Sequence, residues 1–250
     1  MATGTIFNDN DTWNGIPYIF RPSLHGTSYA DSILSFSGND KLFGYGGNDY
    51  LDAGAGWDIA YGGEGNDTIW GAVSTVTYDG GDSLYGEGGK DLIGGSYGAD
   101  YINGGTGDDS LYGDENNDSV YGGDGNDLLR GDWGWGSDFY GNDYLNGGNG
   151  KDTLYGGSGK DIFDYNSVSE SPAWGAYDTI SDFKYGEEDK IDLSTIDADL
   201  WVWGNQAFSS SQMSYNFSTG IFTADVYGGA DLQIHLVGAG AFVPSLDVIA

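Results

Sequence analysis

One bulky apolar residue recurs at every ninth position along this chain, always two places after an aspartate. The aspartates in register are Asp31, Asp40, Asp49, Asp58 and Asp67, then Asp82, Asp91, Asp100, Asp109, Asp118 and Asp127, then Asp143, Asp152 and Asp161. Two residues on come Ile33, Leu42, Leu51, Ala60, Ile69, Leu84, Ile93, Ile102, Leu111, Val120, Leu129, Leu145, Leu154 and Phe163. Of these 14 positions 13 are bulky and apolar, which chance does not produce. Glycines frame each aspartate, so that Gly62–Trp70, Gly104–Tyr112 and Gly122–Arg130 all fit G-G-x-G-x-D-x-U-x, where U is the apolar residue. Six glycine-rich residues predict a turn and the triplet x-U-x predicts a very short strand. Side chains alternate along a strand, so U points inward and its neighbours face solvent. Two repeats then complete a coil of 18 residues, and coils stack at the β spacing of about 4.8 Å. The first repeat is irregular, with Tyr29 in place of the fourth-position glycine.

Composition sharpens this picture. The chain of 250 residues has 46 Gly, 33 Asp against 6 Glu, no Cys and a net charge of −31. Glycine enters positive φ without steric penalty, and the short Asp side chain reaches its own turn backbone. Both favour a turn-rich all-β fold. Such charge with so much glycine otherwise belongs to disordered chains, but 15% of the residues are aromatic and the apolar ones are regularly spaced. Each coil supplies only two inward apolar residues, too thin a core to offset an ordering entropy of roughly 1–2 kcal/mol per residue. The acidic turns would also repel one another. Hard cations answer both difficulties. Calcium takes 6–8 oxygens from carboxylates and backbone carbonyls, whereas magnesium demands strict octahedral geometry and dehydrates reluctantly. A nucleic-acid partner would need a basic surface. The absence of Cys removes disulfide and thiolate sites, and no apolar stretch is long enough to span a membrane.

At this point the repeats resemble the RTX (repeats-in-toxin) family of exported Gram-negative proteins, over about residues 26–164. The resemblance implies a right-handed parallel β-roll. It also implies calcium between stacked turns, held by positions two, four and six of one turn and one, three and six of the turn 18 residues on. Carried onto this chain, one ion falls to Glu87, Gly89 and Asp91 with Gly104, Thr106 and Asp109, and a second to Ser96, Gly98 and Asp100 with Gly113, Glu115 and Asp118. Toward the amino terminus the same positions are Asp31, Asp40, Gly44, Gly46, Gly47, Asp49, Asp58, Gly62, Gly63, Glu64, Gly65, Asp67, Asp82 and Gly95. Further on they are Gly105, Gly107, Gly122, Gly123, Asp124, Gly125, Asp127, Asp143, Gly147, Gly148, Gly150, Asp152, Gly156, Ser158 and Asp161. Most ligands other than Asp are expected to act through their carbonyls. Twelve stacked pairs are possible; insertions at about Ala72–Asp79 and Trp133–Phe139 put Asp58 with Asp82 and Asp118 with Asp143 in question. About ten Ca²⁺ would cancel roughly 20 of the 31 negative charges and couple metal to folding. The insertions read as tolerated turn extensions, or as a partner-binding protrusion through Trp133 and Trp135.

Outside the roll, residues 1–25 are expected to cap its first coil, since open sheet edges aggregate. From Asp164 onward the nonapeptide period stops, and residues 165–250 are expected to form a second cap. There Asp178–Phe183 and Asp189–Ser194 resemble the carboxy-terminal region of the serralysin proteases. Met213–Phe217, Ile221–Tyr227 and Leu232–Val237 predict an antiparallel meander closing the roll. Asp247-Val248-Ile249-Ala250 resembles the Asp-plus-apolar ending of type I export substrates, and no Sec signal is visible at the amino terminus. The resemblance therefore implies a secreted or cell-surface protein that folds outside, where calcium is abundant.

No enzyme is evident in the sequence. Serralysins carry zinc on H-E-x-x-H, whereas this chain has only His25 and His235. Gly94-Gly95-Ser96-Tyr97-Gly98 matches the G-x-S-x-G elbow of lipases, but that elbow joins a strand to a helix, and here Ser96 is position two of an acidic turn. The competing reading is a binding role. Phe43, Tyr61 and Tyr85 at position nine, with Tyr101 and Tyr144 at position seven, fall on one sheet and should form an outward aromatic row. The row serves either to stack cross-strand or to hold polysaccharide, as RTX modules of alginate epimerases do. A monomeric, non-catalytic calcium protein is the expectation; a carboxy-terminal part of a larger exported RTX enzyme is the other alternative.

Overall fold

The computed structural model describes residues 6–8, 23–72, 79–132, 141–173, 175–196, 207–227, 231–237 and 242–249. Most of the expected amino-terminal cap, the insertions with Trp133 and Trp135, and the Gly228-Gly229 turn lie outside the described residues.

The described chain winds into two long sheets facing one another. One runs through Ile6–Asn8, Ser32–Leu34, Tyr50–Asp52, Thr68–Trp70, Leu92–Tyr97, Ser110–Glu115, Leu128–Arg130, Thr153–Tyr155 and Asp178–Ile180, then Leu232–Leu236, Ile221–Ala224 and Met213–Asn216. The other runs through Leu24–His25, Lys41–Gly46, Ile59–Glu64, Ser83–Gly88, Tyr101–Thr106, Ser119–Gly125, Tyr144–Gly150, Ile162–Asp164, Lys190–Asp192 and Val248–Ile249. Consecutive strands alternate between sheets, so each sheet takes every second repeat. This is a parallel β-roll, and it has the period that the apolar spacing demands. Ile102 pairs with Leu84 on one side and Val120 on the other, and Leu111 with Ile93 and Leu129. All 14 U residues are completely buried. They form two facing columns, the core of the repeat region.

Three features go beyond the repeat pattern. Several strands run on past x-U-x into the glycine turn, as in Lys41–Gly46 and Tyr101–Thr106, because parallel pairing continues there from turn to turn. The roll also outlasts the nonapeptide. Asp178–Ile180 and Lys190–Asp192 pair parallel with the last regular strands, Thr153–Tyr155 and Ile162–Asp164, and they carry buried Ile180 and Ile191 at the U position. Among the described residues the antiparallel strands are Met213–Asn216, Ile221–Ala224 and Leu232–Leu236, the expected meander, with an isolated antiparallel bridge from Pro172 to Leu232. Finally, Val248–Ile249 adds a parallel strand beside Lys190–Asp192, with the Asp247 side chain fully buried before it.

Candidate metal centre along the two edges of the roll

Every turn brings its aspartate to one of two edges. Asp31, Asp49, Asp67, Asp91, Asp109, Asp127 and Asp152 line one; Asp40, Asp58, Asp82, Asp100, Asp118, Asp143 and Asp161 line the other. Each backbone N–H donates to Oδ1 of the aspartate one coil on, at 2.6–3.2 Å. The ladder crosses both insertions without a break. Asp58 N–H reaches Asp82 at 2.8 Å and Asp118 N–H reaches Asp143 at 2.9 Å. The two pairs in question from sequence therefore stack like the others. The ladder ends on Asp178 and Asp189, which receive the N–H groups of Asp152 and Asp161.

Oδ1 is thus engaged, and the other carboxylate oxygen decides the chemistry. Oδ2 of Asp49, Asp67, Asp82, Asp91, Asp100, Asp109, Asp118, Asp127, Asp143, Asp152 and Asp161 is buried and accepts no hydrogen bond. A buried polar atom without a partner costs about 1–3 kcal/mol, more when charged. Burial accordingly pushes these acids up, Asp82 to about 9, Asp100 to about 8, Asp118 to about 10 and Asp143 to about 8, with neighbouring aspartates adding to the rise. A row of such groups fits a cation that takes oxygen ligands.

The first-position glycines show what faces each Oδ2. A methyl group on Gly95 would strike Asp100 Oδ2 and lie 2.6 Å from the Gly113 carbonyl oxygen; on Gly104 it would strike Asp109 Oδ2 and lie 2.7 Å from the Gly122 carbonyl. Carboxylate and carbonyl oxygens therefore converge at each turn. The same pair of oxygens converges at Gly26, Gly44, Gly62, Gly86, Gly104 and Gly122 on one edge, and at Gly71, Gly95, Gly113 and Gly131 on the other. At Gly26 the Asp31 Oδ2 already accepts the Thr27 N–H and hydroxyl, which leaves nine open cradles. At Gly147 and Gly156 only the turn's own aspartate is near. Among the described residues no three His, Asp or Glu side chains gather as they would around a side-chain-ligated metal. Any ion held here must take much of its shell from the backbone, and calcium accepts carbonyls.

Second-position residues Glu87, Ser96 and Asp114 adopt positive φ, as Gly63, Gly105 and Gly123 do at the equivalent place. That turns the peptide toward the neighbouring coil. Ser96 Oγ donates to the Ala72 carbonyl at 2.6 Å.

Sequence reasoning missed a second ladder. Asn66 N–H donates to Asn48 Oδ1, Lys90 N–H to Asn66 Oδ1, Asn142 N–H to Asn117 Oδ1 and Lys160 N–H to Asn142 Oδ1, at 2.7–3.0 Å. These fifth-position bonds run opposite to the aspartate ladder and brace the turns that carry them from both sides. The signal was present: Asn precedes Asp in six repeats.

The aromatic row is also longer than expected. It passes through His25, Phe43, Tyr61, Tyr85, Tyr101, Tyr121 and Tyr144 with ring centroids 4.9–5.7 Å apart. His25 Nδ1 lies 2.7 Å from the Tyr45 hydroxyl. Tyr61 is sandwiched between Phe43 and Tyr85 at interplanar angles of 6° and 9°. Its two faces, which a sugar ring would need, are already covered.

Comparison with curated proteins gave no match. Among solved structures, the chain is similar to the AlgE6R3 subunit of the Azotobacter vinelandii mannuronan C5-epimerase, with 26% identity over 61% of this chain and 80% of that one and a TM-score of 0.41. The model of the serralysin C-terminal region of the M10 peptidases matches residues 30–240. That span takes in both edges of the roll and the antiparallel strands beyond it, and the chain belongs to that family.

Proposed function

We propose that this chain is a non-catalytic calcium-binding β-roll that takes up on the order of ten Ca²⁺, remains unfolded where calcium is scarce, and folds after type I export. The observation that carries this reading is the rows of buried Oδ2 atoms without a donor, nine of them converging with a glycine carbonyl. Bound calcium would supply the positive charge that lets these carboxylates ionise inside the roll. The residues do the rest. The glycines present carbonyls, the aspartate N–H ladder fixes each carboxylate, and the U columns exclude water between the sheets.

Belonging to the carboxy-terminal region of a peptidase family, rather than to a catalytic part, supports the absence of catalysis. His25 and His235 stand on different sheets, at Leu24–His25 and Leu232–Leu236. Export in the unfolded state suits a chain of net charge −31 whose acidic turns repel until neutralised. The place of action is then outside the cell or on its surface, as a monomer. Calcium titration into chelator-stripped protein tests this, followed by circular dichroism and hydrodynamic radius with magnesium as control. A cooperative, calcium-specific gain of β structure with compaction is expected. A compact β fold that persists in chelator would overturn it.

A further inference from the structure

The first coils of the roll depart from the others at the position that faces each candidate ion. In the Asp40 turn position one is Ser35, and in the Asp58 turn it is Ala53, where other turns on that edge hold Gly71, Gly95, Gly113 and Gly131. Both side chains are completely buried. Ser35 Oγ donates a hydrogen bond to the Ala53 carbonyl, the carbonyl that by register corresponds to those of Gly113 and Gly131 further on. A hydroxyl therefore occupies the place where the later cradles stand open, and it satisfies the oxygen that an ion would take. Ala53 puts its methyl group at the corresponding point of the next turn. On the other edge, Asp31 Oδ2 accepts the Thr27 N–H at 2.5 Å and the Thr27 hydroxyl at 2.8 Å, so that this carboxylate is served from within its own turn.

We infer that the pairs Asp31–Asp49, Asp40–Asp58 and Asp58–Asp82 hold no calcium, and that the first coils are closed by Thr27, Ser35 and Ala53 in place of the ion. Metal loading begins at Asp49 on one edge and at Asp82 on the other. This rests on the calcium reading above and divides the chain in two. An amino-terminal end closed by its own side chains at these turns docks on coils that require the ion.

The test is the number of ions bound at saturating calcium, counted by native mass spectrometry and by equilibrium dialysis on the whole chain. Nine are expected, one for each open cradle, the Gly26 cradle being closed by Thr27. Asp58→Asn should leave that number unchanged, while Asp100→Asn should lower it by at least one. The double variant Ser35→Gly with Ala53→Gly should gain up to two ions. Loss of ions in Asp58→Asn equal to that in Asp100→Asn would overturn the inference and leave the calcium reading intact. An unchanged count in the folded glycine variant would overturn it as well. If Asp100→Asn bound as many ions as the parent, the calcium reading itself would fail.

Discussion

Replacing Asp100 with asparagine should have opposite effects on stability with and without calcium. Asp100 is 3% exposed; its Oδ1 accepts the Asp82 N–H at 2.7 Å, and its Oδ2 accepts nothing. Asparagine retains the Oδ1 acceptor and removes the charge. In the metal-free roll, burial lifts this acid from 3.8 to about 8. Near neutral pH, folding makes this buried group take up a proton, at a cost of ~4 kcal/mol at about 1.4 kcal/mol per pKa unit. Water penetration and relaxation reduce that to a few kcal/mol. Asp100→Asn should therefore stabilise the metal-free fold by ~2–4 kcal/mol. With calcium at a hundred times its dissociation constant each site contributes about 2.7 kcal/mol, and the variant should lose at least that much. The assay is urea unfolding followed by far-ultraviolet circular dichroism, in excess calcium and in chelator with sucrose to populate the folded state. Destabilisation of similar size in both conditions would refute the reasoning. It would mean that Asp100 serves only as a bracket for the backbone of the preceding coil.

Acidity should substitute in part for the metal. Burial raises Asp82 to about 9, Asp91 to about 7 and Asp118 to about 10, so their contribution to the metal-free fold is complete below the ordinary carboxylate value of 3.8 and lost as pH climbs through about 7 to 10. In chelator, β structure measured by circular dichroism should fall between pH 5 and 9, and a rise over that range would contradict the assignment. Gly107→Ala should unfold the neighbouring coils even in calcium, because φ is +129° and the methyl group would strike the Gly89 carbonyl; calcium-loaded thermal melts check this. Ile102→Ala removes a wholly buried U residue and should cost about 2–5 kcal/mol in urea unfolding. Tyr61→Ala with Tyr85→Ala should lower the melting temperature by breaking stacked pairs and should leave retention on polysaccharide resins unchanged.

How far the fold was legible depended on which residues keep the period. The U column and the aspartate register were plain because Leu84, Ile102 and Val120 cannot shift by one place without turning the core side chain to solvent. Asp178 and Asp189 were not legible as members of the ladder, since they stand 26 and 28 residues beyond their partners and no glycine pattern leads to them. Tyr121 was overlooked although it occupies position nine, as Tyr61 and Tyr85 do; the ring contacts with Tyr101 and Tyr144 show its place. Ser35 and Ala53 are the instructive case. Their small side chains pass as tolerable variants of glycine in a repeat, and only the convergence of oxygens in the other turns shows that a single methyl group alters the site.

The ladder also dictates how the roll forms. Each aspartate inside it both donates its N–H to the carboxylate one coil ahead and accepts the N–H one coil behind, as Asp100 does with Asp118 and Asp82. A carboxylate is therefore held in place only when both neighbouring coils exist, and a cradle is complete only when the next turn supplies its carbonyl. A lone coil, with two inward apolar residues and unfixed acidic turns, has nothing to hold it. Folding of such an array is one-dimensional, its stability resting on interfaces between neighbours. Cooperativity in calcium follows from that geometry, because the first complete cradle requires two coils and every later one requires only one more. Deleting a coil pair from the middle should then preserve the calcium midpoint nearly unchanged, whereas Asp100→Asn, which leaves every coil present but breaks one cradle, should flatten the titration.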